Sequence, residues 1–382
     1  MYSNGDQGRN LFILVVLLSL CVFSNAQVPQ QGSVPLDRGP QDKIKIFTEE
    51  VVIPLFIYDN QSLGPSKTTL GPEDIVLVED HVHQEVKSIR RVPAHVMFIL
   101  DTAGELNPAM RSTTTREIAT RIVGHLQASD QIALLQSGGG VQLIQDWSSD
   151  KNEVLATLKS KLLSGKRSHL VNALGHVVAR LREVPAGNRH LVLITDGVDT
   201  SGAAPELTDA IRQLLISNIT VHVIGYTAIG RKMIQRQNPL VKITNKKRKS
   251  AKDIADEIMN PTQIPEYKRR NKIYLIIDTD IPMRRKRSEY RAATEDSEKW
   301  LTFLAEETGG VIIIPSSVEE MISRSHEVAR EIDVQYVLTY KPKRSLALVV
   351  EEEYREIRVT PRRAGIQVRA RPGYIALPRG QM

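Results

Sequence analysis

Two apolar runs, each ending on an aspartate, constrain this chain most. HVMFIL (residues 95–100) stops at Asp101, and LVLIT (191–195) stops at Asp196. Neither alternates polar with apolar residues, so each is expected to be a strand buried on both faces. Stripes at helical spacing lie between and after them: Ile118, Ile122 and Leu126; Val154, Leu155, Leu158 and Leu162; Leu170, Leu174, Val177, Val178 and Leu181. IALLQS and VQLIQDW flank Gly138, Gly139 and Gly140 as a hairpin would. ITVHVIGY and GVIIIP read as further strands, and 206–216, 297–307 and 318–332 as helices. Strands alternating with helices predict an α/β fold, a doubly wound and mostly parallel sheet covered on both faces.

The flanks read differently. Arg9, an apolar run over 11–23 and the small residues Ser24-Asn25-Ala26 predict an export signal over 1–26. The run is too short for a bilayer, which takes about 20 residues, and no later stretch is a better transmembrane candidate, so a secreted or periplasmic chain is expected. The one cysteine, Cys21, lies inside the signal, which removes disulfides and thiol chemistry from the mature chain. Residues 27–43, rich in Pro, Gln and Gly, read as a linker. Short β-like runs over 44–92 predict a small β domain, 94–340 the α/β unit, and 341–382 a C-terminal β segment.

Charge is unevenly spread. The 382 residues carry a formal +7, yet 231–291 holds 18 Lys and Arg against 7 Asp and Glu. This stretch interrupts the α/β alternation and reads as a basic insertion. Its densest clusters are Lys246, Lys247, Arg248 and Lys249; Lys268, Arg269 and Arg270; and Arg284, Arg285, Lys286 and Arg287. It is either a solvated loop or a patch for polyanions, an acidic glycan or an anionic membrane surface. Export argues against nucleic acid.

In doubly wound sheets ligands sit beyond the carboxyl ends of the strands. Asp101 and Asp196 fall at that edge, and Ser168, ahead of a helix in SGKRSHLVNAL, brings a hydroxyl toward it. Two carboxylates and a hydroxyl suit a hard cation such as Mg²⁺. Catalysis has less support. The triple glycine lacks the Lys-Ser/Thr of a phosphate loop, the nine histidines are scattered, and no serine sits in a nucleophile-elbow context. A binding protein is expected, not an enzyme.

These features, taken in order with LGPEDIVLVEDHVHQEVKSI, LITDGVDTSG, FLAEETGGVIIIPSS, VQYVLTYKPK and VRARPGYIALP, resemble the von Willebrand factor type A domain. More narrowly, they resemble the bacterial secreted VWFA-related proteins, over residues 44–378. The resemblance implies a protein- or surface-binding module with a metal-ion-dependent adhesion site built from Asp-x-Ser-x-Ser, a Thr and an Asp. Here the first loop reads Asp101-Thr102-Ala103-Gly104-Glu105, so both serines are replaced. Ser168 stands at the Thr position and Asp196 at the third-loop Asp. Two readings stay open. The site is rewired, with Asp101, Glu105, Ser168 and Asp196 holding Mg²⁺, Mn²⁺ or Ca²⁺; or it is degenerate, with Glu105 facing solvent at a helix start. The second reading suits a metal-independent structural or assembly module. Thr102, Arg167, His169 and Asp199 flank the site as candidate partner contacts.

Overall fold

The computed structural model describes residues 49–59, 62–65, 70–103, 108–203, 206–237, 242–244, 274–276 and 281–378. All lie in the compact unit Thr48–Met382. The predicted signal and linker, Glu105, and seven of the basic cluster residues (Lys246, Lys247, Arg248, Lys249, Lys268, Arg269 and Arg270) lie outside the described residues.

Five strands come first: β1 (Val51–Asp59), β2 (Ser62–Pro65), β3 (Ile75–Glu79), β4 (Val82–Gln84) and β5 (Val86–Arg90). The α/β part follows with β6 (His95–Leu100), α1 (Pro108–His125), β7 (Gln131–Gln136), β8 (Gln142–Ser148), α2 (Lys151–Lys161), α3 (Leu170–Arg182), β9 (Arg189–Thr195), α4 (Leu207–Ile216), β10 (Thr220–Gly225) and α5 (Thr227–Gln237). A short pair, β11 (Lys242–Thr244) and β12 (Tyr274–Ile276), precedes α6 (Ile281–Glu307), β13 (Ile312–Ile313), α7 (Val318–Arg324) and α8 (His326–Asp333). The chain ends in β14 (Gln335–Tyr340), β15 (Glu353–Pro361), β16 (Ile366–Ala370) and β17 (Gly373–Ala376).

The central sheet runs β13-β10-β9-β6-β7-β8, parallel except for the β7–β8 hairpin. This is the doubly wound α/β fold that the alternation predicts. Val96, Phe98 and Leu100 of β6 face Ile118 and Ile122 of α1, whereas Met97 and Ile99 face Leu174 and Val177 of α3. Both faces are therefore apolar, and each fully buried Leu, Ile, Val or Phe contributes roughly 1.5–3 kcal/mol. The two aspartates follow directly at the carboxyl ends of β6 and β9.

The terminal β segments, separate in sequence, share sheets. β1 lies between β14 and β16, with Val51 opposite Tyr340 and Leu55 opposite Ala370. β3 pairs with β15. Strand 335–340, which the sequence reading grouped with the α/β unit, is bonded instead to β1 and β5. The reason is edge satisfaction: a short lone strand leaves a row of unpaired backbone groups, and partners hundreds of residues away supply them. Helix α6 starts at Ile281, sixteen residues ahead of the expected 297, because its first turns are mostly charged and exposed and carry no apolar stripe.

Candidate functional site

The site is assembled at the carboxyl edge of β6, β7 and β9. Asp101 is fully buried. Its Oδ2 accepts from Ser168 Oγ at 3.1 Å and from Thr195 Oγ1 at 2.7 Å, while Oδ1 accepts from the Ala103 amide at 3.2 Å. The first loop is held from below: Thr102 Oγ1 donates to the Leu163 carbonyl at 2.7 Å, and Ala103 bridges to Gly165. A Cβ on Gly165 would sit 2.3 Å from the Gly138 backbone, so only glycine allows the two loops to touch. Gly197, with φ +73°, turns the chain after Asp196, where a Cβ would meet Ser297 of α6 at 2.7 Å.

Asp196 is engaged by residues that the sequence reading missed. Its Oδ2 accepts from Arg111 Nη2 at 2.5 Å and from the Tyr290 hydroxyl at 2.6 Å, and its Oδ1 accepts from the Val198 amide at 3.1 Å. Arg111 also donates to the Ala103 carbonyl at 2.7 Å and to Tyr290 at 2.6 Å. The ion pair is almost sealed, with 5% of the arginine side chain and 3% of the aspartate exposed. Arg111 continues the buried face of α1 through Thr115, Ile118 and Ile122, and Tyr290 continues that of α6 through Thr294, Ser297, Leu301 and Leu304. A lone arginine in register with an apolar stripe was the signal available.

The electrostatics follow from two acids and one cation in a dry place. Burial, and then the Asp196 charge, push the Asp101 carboxyl up to about 6, against the pull of Arg111 and the Thr195 hydroxyl. Burial disfavours a charged Arg111, but Asp196, Tyr290 and Asp101 outweigh it and hold the guanidinium above its ordinary range. Burial, then Asp196, raise the Tyr290 phenol, which stays a neutral donor.

Whether these residues fit Mg²⁺, Mn²⁺ or Ca²⁺ can be judged from the donors. The described carboxylate oxygens already accept hydrogen bonds, and a fixed cation lies against Asp196. A divalent ion there would meet that charge as a repulsion. Among the described residues no group of three His, Cys, Asp or Glu could hold a metal. The described residues do not fit a metal site.

The structure brings Asp101, Ser168 and Asp196 together; Glu105 lies outside the described residues. The flanking candidates divide. Thr102 is fully buried and out of a partner's reach. Asp199 caps the loop, accepting from the Val171 and Ser201 amides at 3.0 and 2.7 Å. His169, half-buried, bonds through its amide to the Ser137 carbonyl at 3.0 Å. Arg167 is exposed beside Lys166.

Comparison with curated proteins returns no match. Among solved structures, the chain is similar to an aerotolerance-related membrane protein from Bacteroides fragilis (15% identity, 63% of this chain and 98% of that one, TM-score 0.36). It is also similar to a von Willebrand factor type A protein from Catenulispora acidiphila (10% identity, 86% and 74%, TM-score 0.40). A third is proximal thread matrix protein 1 from the mussel byssus, in a form with zinc in its metal-ion-dependent adhesion site (17% identity, 36% and 38%, TM-score 0.31). The family model of the von Willebrand factor type A domain matches residues 95–264, a span that contains Asp101, Arg111, Ser168 and Asp196 and stops short of Tyr290. Residues 95–264 thus form a von Willebrand factor type A domain, on the mixed α/β sheet whose carboxyl edge carries the site.

Proposed function

We propose that this domain binds a protein partner through the loops at the carboxyl edge of its sheet, and does so without a metal. One observation carries the reading: the Arg111 guanidinium lies on Asp196, the carboxylate a divalent ion would need. Asp101 and Asp196 are both sealed from solvent, out of direct reach of a substrate. The exposed Lys166 and Arg167 stand beside the sealed centre as the partner-facing surface. The mature chain then works outside the cytoplasm, exported by residues 1–26. No described helix is long and apolar enough to cross a membrane.

The test has two arms. Crosslinked capture from the envelope fraction should give the same partner with and without chelator, and lose it with Lys166→Glu/Arg167→Glu. The melting temperature of the intact protein should stay constant in millimolar Mg²⁺ or Mn²⁺. A metal-dependent rise, or capture abolished by chelator, overturns the metal-free reading; capture indifferent to the double variant removes the binding surface.

A further inference from the structure

Away from the sheet edge, a groove of about 980 Å³ runs between α5 and the first half of α6. Its α6 wall is Arg284, Arg287, Ser288, Arg291 and Glu295, residues three or four apart that form one stripe on a helix. Arg285 lines the same wall, and Arg231 and Lys232 come from α5. Six cations and one carboxylate therefore line it, with Glu289 and Glu298 reaching two of those cations from outside the lining. From Arg284 to Arg291 the stripe covers about 10 Å at the ordinary helical rise.

Two ion pairs close the lower end of this track. Arg231 meets Glu298 at 2.6 Å and Arg291 meets Glu295 at 3.0 Å. Beyond them the balance shifts, with Glu295, Glu298 and Glu306 against Arg231 and Lys299 around the next cavity along α6. An anion is therefore attracted to the upper groove and turned back at its foot. A further pair on the wall, Arg285 with Glu289 at 2.8 Å, is mostly exposed and holds Arg285 only weakly.

We infer that this groove binds a linear polyanion carrying phosphate or sulfate groups, a function separate from the partner surface proposed above. Arginine dominates the lining, and its planar fork matches tetrahedral oxyanions in a way that a lysine point charge does not. The cations sit along a concave channel, which takes a strand-like polymer; a membrane presents a broad flat surface. The groove collects guanidinium groups from opposite ends of the basic stretch, Arg231 at its start and Arg284 to Arg291 at its end, on two packed helices.

Heparin and linear polyphosphate serve as probes for the full chain, with phosphatidylglycerol vesicles as the membrane arm. The chain should bind both polymers with an affinity that falls steeply with salt, and Arg284→Glu/Arg285→Glu/Arg291→Glu should weaken binding by ~10-fold or more and flatten the salt slope. All three side chains are exposed, so the variant should fold, with the melting temperature lowered only slightly by the pairs lost to Glu289 and Glu295. Arg358→Glu/Arg362→Glu/Arg363→Glu, three exposed positions on the terminal β segment, match the change in net charge and should change binding little. Equal losses in both variants, no loss in the first, or binding to vesicles and to neither polymer would each overturn the assignment.

Discussion

Among the described residues, two arginine–carboxylate–tyrosine clusters are sealed from solvent, and they differ in how the second carboxylate of each is served. At the sheet edge, Arg111 faces Asp196 and Tyr290. In the terminal β region, Arg355 of β15 faces Glu79 of β3 at 2.9 Å, and the Tyr340 hydroxyl of β14 donates to Glu79 at 2.6 Å. Both arginines are sealed from solvent, at 5% and 0% exposure. What differs is the neighbour. Arg355 has a second carboxylate of its own, the half-buried Glu353, accepting from its Nε at 2.8 Å. Arg111 has beside it Asp101, fully buried and served only by hydroxyls and an amide. The Arg355 cluster ties two antiparallel sheets together. The Arg111 cluster lies where doubly wound sheets place ligands, and its second acid has the form of a ligand site to which a side-chain cation has been fitted.

That contrast can be broken experimentally, with the largest effect first. Arg355→Ala strands Glu79 in the interior and should cost about 3–5 kcal/mol, read as a lower denaturant midpoint that no metal restores. Arg111→Ala should cost somewhat less, because Asp101 can take up a proton, and here Mn²⁺ should restore part of the loss by mass action on the vacated oxygens. Equal metal response in the two variants, or none in either, would show that the sheet-edge cluster is only another strut.

The smallest effect concerns pH. The Asp101 carboxyl titrates near 6 in the folded chain, above its ordinary range, so its contribution to stability is complete in acid and lost as pH rises through about 6. Asp101→Asn removes that loss and should gain on the order of 2 kcal/mol over the wild type at neutral pH. If the two stability–pH curves run parallel between 4 and 7, Asp101 does not carry the surplus charge.

Much of this was legible in the residues. The apolar runs ending on Asp101 and Asp196 place both acids at one edge, because a strand buried on two faces has no other composition. Ser168 follows from its position before an apolar helix stripe. Arg111 and Tyr290 are hidden in the sequence for a common reason: an amphipathic stripe is traced by its apolar members, and each of these polar residues precedes such a stripe. The partners of β1 could not be read, since alternation marks a strand and carries no record of its neighbour.

The pairing of β1 with β14 and β16 also sets an order of events. Residues 51–59 are made early, and beyond the short local pairing with 62–65 they find their neighbours at 335–340 and 366–370. The α/β part between them has local partners and can close first, while the early strands wait with bare edges. Loop closure over that distance is slow and leaves those edges open to wrong pairings. The segments that complete β1 are therefore made hundreds of residues after it.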